Sequence, residues 1–156
     1  MKNTSIVFTL LDDNVPVRIR TLTPKAIKLG FTAADLIDKV VPANATNVRE
    51  ISDADLPEDS VFRYAWDDSN PESFIGIDLP KAKLIAHDIR RVDRENKLVP
   101  LDREEGYATT TSTRKSEIVT EKNAILDANA TVQTDIDNAA NETALRTVLT
   151  NAGIVA

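Results

Sequence analysis

Residues 61–102 read VFRYAWDDSNPESFIGIDLPKAKLIAHDIRRVDRENKLVPLD, and the two halves of this stretch obey different rules. In the first half, Val61, Phe62, Ala65 and Trp66 recur at spacings of one, three and four, which predicts one turn of helix with an apolar side and Arg63 opposite. Phe62 and Trp66, four apart, are the expected core anchors. The second half begins at Asp78-Leu79-Pro80, where a proline in the first helical turn forfeits no hydrogen bond. Ala82, Ile85, Ile89 and Val92 then make a 3-4-3 stripe, extended by Asn96 and Val99 and flanked by Lys83, Arg90, Arg91, Arg94 and Lys97. A narrow stripe with charged flanks is the coiled-coil pattern, so Ile85, Ile89 and Val92 are expected to be packing anchors. Pro100 is expected to kink or end the helix.

Working back to the N-terminus, Ser5 to Leu11 (SIVFTLL) and Val15 to Thr21 (VPVRIRT) flank Asp12-Asp13-Asn14, which predicts a β-hairpin. Pro16 cannot donate to a ladder, so the second strand is expected to start there or to lie at an edge. An isolated hairpin is marginal, so another element has to cover it. Thr23-Pro24 opens a short helix stopped by Gly30, and Thr32 caps another with Ala33, Leu36, Ile37 and Val40 on one face, ended by Pro42. Residues 46–51 (TNVREI) alternate as a short strand, followed by the acidic loop SDADLPED; a brief extended piece, SFIGI, precedes the long helix.

Beyond Gly106, a helix is expected from about Ser112 to Ala128 on Ile118, Ala124 and Ile125, with Val119 and Leu126 as further candidates. A short connection makes it the antiparallel partner of the preceding helix. A separate, shorter helix from Ala130 to Ala140 follows, carrying Val132, Ile136, Ala139 and Ala140. Asn141 caps the last, whose Leu145, Val148, Leu149 and Ala152 precede Gly153. The expected fold is α+β: an N-terminal unit, residues 1–78, with a hairpin and short helices, and a C-terminal unit, residues 79–156, with a helical hairpin and short terminal helices.

Composition narrows the function. The 156 residues are long enough to bury a real core, and the apolar content is mostly Ala, Val, Ile and Leu, with few aromatic residues. The formal charge of -6 argues against nucleic acid, whose phosphates need a dominant basic surface. The charge is uneven: residues 50–73 hold eight acids against Arg63, whereas residues 80–104 hold seven bases against five acids, so the two segments could pair within or between chains. With no cysteine, disulfides, thiolate metal sites and thiol nucleophiles are excluded. No apolar run has membrane-spanning length and the N-terminus lacks an export pattern, so a protein made in a cytoplasm, with no membrane partner, is expected.

Catalytic signals are absent. A single histidine, His87, allows neither a triad nor a multi-histidine metal site within one chain. Four scattered glycines cannot form a phosphate-binding loop. The acid pairs Asp12-Asp13, Asp67-Asp68 and Glu104-Glu105 lie in turns without an aromatic platform for a sugar, and the oxygen-rich loops around Asp53 to Asp59 and Asp67 to Asn70 lack EF-hand spacing. No catalytic, cofactor-binding or metal residue is expected, and no cofactor.

One resemblance adds to this. The stretch from Asn47 to Trp66, NVREISDADLPEDSVFRYAW, resembles a recurrent small protein of tailed bacteriophages, in which a D-x-D-L-P-x-D segment is followed by FR-x-AW and then by a helix introduced through D-L-x-KA. The matching positions are Val41-Pro42, Asp53 to Asp59, Phe62-Arg63, Ala65-Trp66, Asp78-Leu79, Lys81-Ala82, Ile89-Arg90 and Leu101-Asp102. The likeness covers most of the chain and is weakest after Glu105, where Gly106-Tyr107-Ala108 and a Thr-rich run replace a more strongly helical segment. It implies a non-enzymatic structural component of the phage particle, on the tail, baseplate or a fibre attachment point, located in the virion. Its partners would be other phage structural proteins and further copies of itself in a homo-oligomer or symmetric assembly. The alternative it leaves open is a tail-fibre assembly chaperone that does not remain in the particle.

Overall fold

The computed structural model describes residues 5–10, 17–57, 60–69 and 74–155, which form an α+β protein. The chain divides into two compact units, Met1–Asp78 and Leu79–Ala156.

In the first unit, strand β1 (Ser5–Leu10) is central, with β2 (Arg18–Thr21) and β3 (Ala45–Ile51) antiparallel on either side. Ser5 lies opposite Thr21 and Phe8 opposite Arg18, so the expected hairpin forms. Its connecting turn and Pro16 lie outside the described residues. The cover the hairpin needs comes from β3 and from two layers. On one face Val7, Val17 and Ile51 pack with Trp66 and Ile75, with Ile19, Leu56 and Ile77 at the margin. On the other, Ile6 and Phe8 pack with Ala33, Leu36 and Ile37 of helix α2 (Ala33–Val40). A strand covered on both faces has no polar side to show, which explains why SIVFTLL does not alternate. Hydroxyl pairs brace the sheet, with Ser5 Oγ to Thr21 Oγ1 at 2.9 Å and Thr9 Oγ1 to Thr46 Oγ1 at 2.8 Å.

The β1–β3 register shifts between Val7 and Thr9, and the extra residue falls at the left-handed Asn47, φ 53°. Asparagine tolerates that conformation better than other residues with a Cβ, and its Nδ2 donates to the Asp68 carbonyl at 3.2 Å.

The helix signals ahead of β3 act as expected. Helix α1 (Pro24–Lys28) is capped by the Thr23 side chain. It ends at Gly30, φ 85°, where the Gly30 and Phe31 amides donate to the Ile27 and Ala26 carbonyls. Thr32 and Asp35 form a capping box at α2. Val40 departs from the expected face and is exposed.

The FRYAW turn is tighter and shorter than a turn of α-helix. Arg63–Ala65 is a 3-10 turn, and Trp66 is already extended, opening the two-residue strand β4 (Trp66–Asp67) that pairs with β5 (Gly76–Ile77). Phe62 and Trp66 are both buried, but not as helical i, i+4 neighbours. The Asp67 carboxylate accepts from the Ser69 amide and hydroxyl, and the Asp78 amide donates to the Ala65 carbonyl at 2.8 Å, so the backbone is committed to a ladder.

The second unit consists of α3 (Leu79–Glu105), α4 (Ser112–Asn138) and α5 (Glu142–Asn151). The cross-links Lys83 to Asp137, Arg90 to Asn129, Glu105 to Lys122 and Glu104 to Arg114 run in opposite senses along α3 and α4, which are therefore antiparallel. Three expectations change here. Helix α3 runs through Pro100 to Glu105: proline deletes one hydrogen bond near the end of the helix, and the ion pairs of Glu104 and Glu105 hold the last turn. Residues 112–128 and 130–140 do not form two helices; α4 is continuous to Asn138 because no Gly or Pro interrupts it. The third change is the packing face of α3: Ala82 of the expected stripe is buried, but it is joined there by Ala86 and Arg90 rather than by the larger stripe residues. Ile85 and Ile89 are only half-buried and Val92 is 58% exposed. Successive helical residues point about 100° apart, so α3 carries two apolar sectors; the small alanines, which signal weakly in sequence, let a neighbouring helix approach.

Asn141 caps α5 by accepting from the Ala144 amide at 2.9 Å, and Gly153, φ 67°, closes it with amides of Gly153 and Ile154 turned back to Thr150 and Leu149. Leu145, Leu149, Ile118, Ile136 and Ala139 are buried as expected, whereas Ala124, Val119 and Leu126 are exposed.

Candidate functional site

The residues that sequence reasoning weighed for chemistry are engaged within their own units. The Ser52 amide and hydroxyl donate to Asp55 Oδ2 at 3.1 and 2.5 Å, capping the 3-10 turn Asp53–Asp55; these bonds hold the Asp55 carboxyl below the ordinary carboxylate range. Asp68 is buried and receives both guanidinium nitrogens of Arg49, at 2.8 and 2.5 Å. The Asp67 and Asp68 carboxylates are engaged separately, by Ser69 and by Arg49. Glu58, Asp59, Asn70 and Asp12-Asp13 lie outside the described residues. Among the described residues no group of three or more His, Cys, Asp or Glu is placed to hold a metal ion. His87, on α3, bonds through Nε2 to Asp137 Oδ1 at 3.0 Å.

Two of the features that remain are surfaces. One is the tip of the helical hairpin, where the Glu104 carboxylate takes Arg114 Nε and Nη2 at 2.7 and 2.9 Å, Arg114 Nη1 also reaches Glu121 at 2.6 Å, and Lys122 bridges Asp102 and Glu105. The hydrogen bonds from Arg114 pull the Glu104 carboxyl below its usual range, and the reciprocal bonds raise Arg114; Lys122 is raised by its bonds to Asp102 and Glu105. Because the folded Glu104 value lies below the unfolded one, the tip contact contributes stability above the unfolded glutamate pKa, about 4.3, and loses it as pH falls through the folded value. Titrated by carboxyl carbon NMR, Glu104 is expected to have a midpoint below that of a free glutamate and to return towards it in Arg114→Gln. Identical midpoints in the two proteins would show that the pair is not formed in solution.

The other surface is apolar. Along α3, Leu84, Val92 and Val99 are exposed, and along α4 Val119 and Leu126 are; Val92 and Val99, like Val119 and Leu126, are one heptad apart. Tyr107 stands exposed in the connection between the two helices. The first unit exposes Ile27, Leu29 and Phe31 around α1, with Lys39 Nζ 4.1 Å from the Phe31 ring centroid. The stripe read from sequence thus identifies residues that are apolar, periodic and only partly covered, the composition of contact surfaces rather than of a catalytic cleft.

Among the described residues no helix is long and apolar enough to cross a membrane. Compared with protein-family models, with curated proteins and with solved structures, the chain matches none of them.

Proposed function

We propose that the protein is a structural component of a bacteriophage particle, at the tail, baseplate or a fibre attachment point, and that it acts through protein–protein contacts. The observation that carries this reading is the ordered D-x-D-L-P, FR-x-AW, D-L-x-KA pattern of the tailed-phage resemblance. The positions it matches serve the scaffold: Asp55 caps a turn, Phe62, Ala65, Trp66 and Ala82 are buried, and Asp78 closes the β4–β5 ladder. A pattern spent on folding suits a family defined by its shape and its docking surfaces. Exposed heptad-spaced residues on α3 and α4 supply candidate contacts, and a symmetric assembly would reuse them in each copy.

A released assembly chaperone is the alternative, to which the exposed Ile27, Leu29 and Phe31 would equally lend an apolar surface. Quantitative mass spectrometry of gradient-purified particles, scaled to the major capsid protein, separates the two. A fixed, near-integral copy number is expected; abundant protein in the lysate but none in particles would overturn the structural reading in favour of the chaperone.

A further inference from the structure

The second unit contains a cavity of about 400 Å3, within the size range of small-molecule sites. Ile125, Ala128 and Val132 of α4 and Ile154 beyond α5 give it an apolar wall; Asp93, Arg94 and Lys97 of α3 line it alongside, two cations against one carboxylate. The charges there are unbalanced. Lys97 is neutralised by Asp93 at 2.7 Å, and Arg91, farther up the helix, is paired with Asp88. Arg94 has no hydrogen bond or ion pair among the described residues. One turn before it, Arg90 is buried, yet Nη1 meets only the neutral Asn129, itself a cavity-lining residue, and Nε has no partner. The acid that bears on Arg90, Asp137, is engaged by His87.

A buried charge is costly unless an opposite charge or a full set of hydrogen bonds compensates it. Arg94 lines the cavity without a carboxylate partner, and the buried Arg90, one helical turn before it and outside the lining, has none either, so this end of the cavity carries an excess of positive charge that an anion would offset. Burial and the neighbouring cations Arg94 and Arg91 push the Arg90 pKa below the usual guanidinium value, as this imbalance requires. Opposite the cations the wall offers almost no hydrogen-bonding groups beyond Asn129, so the rest of the ligand has to be apolar. Small inorganic anions would leave that wall uncovered, and a sugar or nucleotide would bury polar groups against it without partners.

We propose that this cavity binds a free carboxylic acid with an aliphatic tail, its carboxylate on Arg94 and its tail against Ile125, Ala128, Val132 and Ile154. This goes beyond the assembly reading and stands independently of it. Isothermal titration of the full chain, with all ligands below micellar concentration, would compare decanoate, decanol and acetate. Decanoate is expected to bind saturably at one site, with decanol and acetate at least about ten-fold weaker, since a charge-assisted bond is worth roughly one such factor or more. Arg94→Gln, an accessible position, is expected to bring decanoate down to the decanol affinity while leaving decanol unchanged. Ala128→Trp should fill the cavity and abolish binding of both, its thermal midpoint checking that the helices still fold. Absence of saturable decanoate binding, equal affinity for decanol, or indifference to Arg94→Gln would each overturn the proposal. Amide shifts induced by decanoate outside α3, α4 and the end of α5 would do so too.

Discussion

Trp66→Ala is expected to lower the stability of the first unit by about 3–5 kcal/mol, the usual cost of deleting a large buried aromatic ring. Trp66 is 6% exposed and packs with Val7, Val17, Ile51 and Ile75, so its removal opens a void beneath one whole face of the sheet. No neighbour can collapse into it easily, because strand pairing fixes Val7 and Ile51, and β5 begins next to Ile75. The chain has one tryptophan, so its own fluorescence is lost with the substitution. Amide hydrogen exchange at residues 6–8 of β1 is the appropriate readout, since it reports the opening of the first unit separately from the helices. A loss below about 1 kcal/mol would mean that the ring is peripheral to the core, contrary to its burial.

The second large effect is electrostatic. Asp68→Ala is expected to cost about 3 kcal/mol, because it strips a bidentate partner from Arg49 and leaves a cation in a site built for a pair. The Asp68 side chain has no exposure, whereas that of Arg49 retains 20%, so some water can still reach the guanidinium and the loss stays at the low end for a broken buried pair. Replacing both residues, Arg49→Met with Asp68→Leu, is expected to recover most of the stability, since an apolar pair of similar volume often substitutes for a buried ion pair. Measured as a cycle with each single replacement by urea unfolding, the coupling between the two positions should exceed about 1 kcal/mol; independent, additive effects would show that the pair is dispensable.

These two residues also mark the boundary of what the sequence discloses. Elements with a local signature were legible: the capping Thr23, Thr32 and Asn141, the stops at Gly30 and Gly153, and the strands around Asp12 to Asn14 all have their chemistry within a few residues. Trp66 and Phe62 were legible as buried from the apolar spacing of Val61, Phe62, Ala65 and Trp66, although the turn that carries them is not α-helical; Phe31 and Tyr107, without such a pattern, are exposed. The Arg49–Asp68 and Arg90–Asn129 contacts were not, because their partners are 19 and 39 residues apart and nothing in either neighbourhood marks them as a pair. The break expected between residues 128 and 130 is absent: in the folded unit the Asn129 amide oxygen accepts from Arg90 and the helix continues to Asn138. The packing face of α3 failed for a related reason. Ile85, Ile89 and Val92 outweigh Ala82 and Ala86 in hydrophobicity, but helix contact is decided as much by how closely two backbones can come as by how apolar the side chains are. Of the candidate surface, the apolar periodicity was visible; that the same periodic residues are partly uncovered required the tertiary structure.

The central position of β1 has a consequence for how the chain is made. Ile6 and Val7 leave the ribosome before the residues that bury them: α2 covers Ile6, the Trp66 layer covers Val7, and β3 pairs with both, all encoded downstream. Until those residues emerge, SIVFTL is a nascent segment rich in β-formers and uncharged, with β2 as its only strand partner and the edge meant for β3 open, the kind that associates with other chains when its own partners are late. Translation speed between residues 10 and 66, rather than the stability of the finished fold, would then set the yield of native protein.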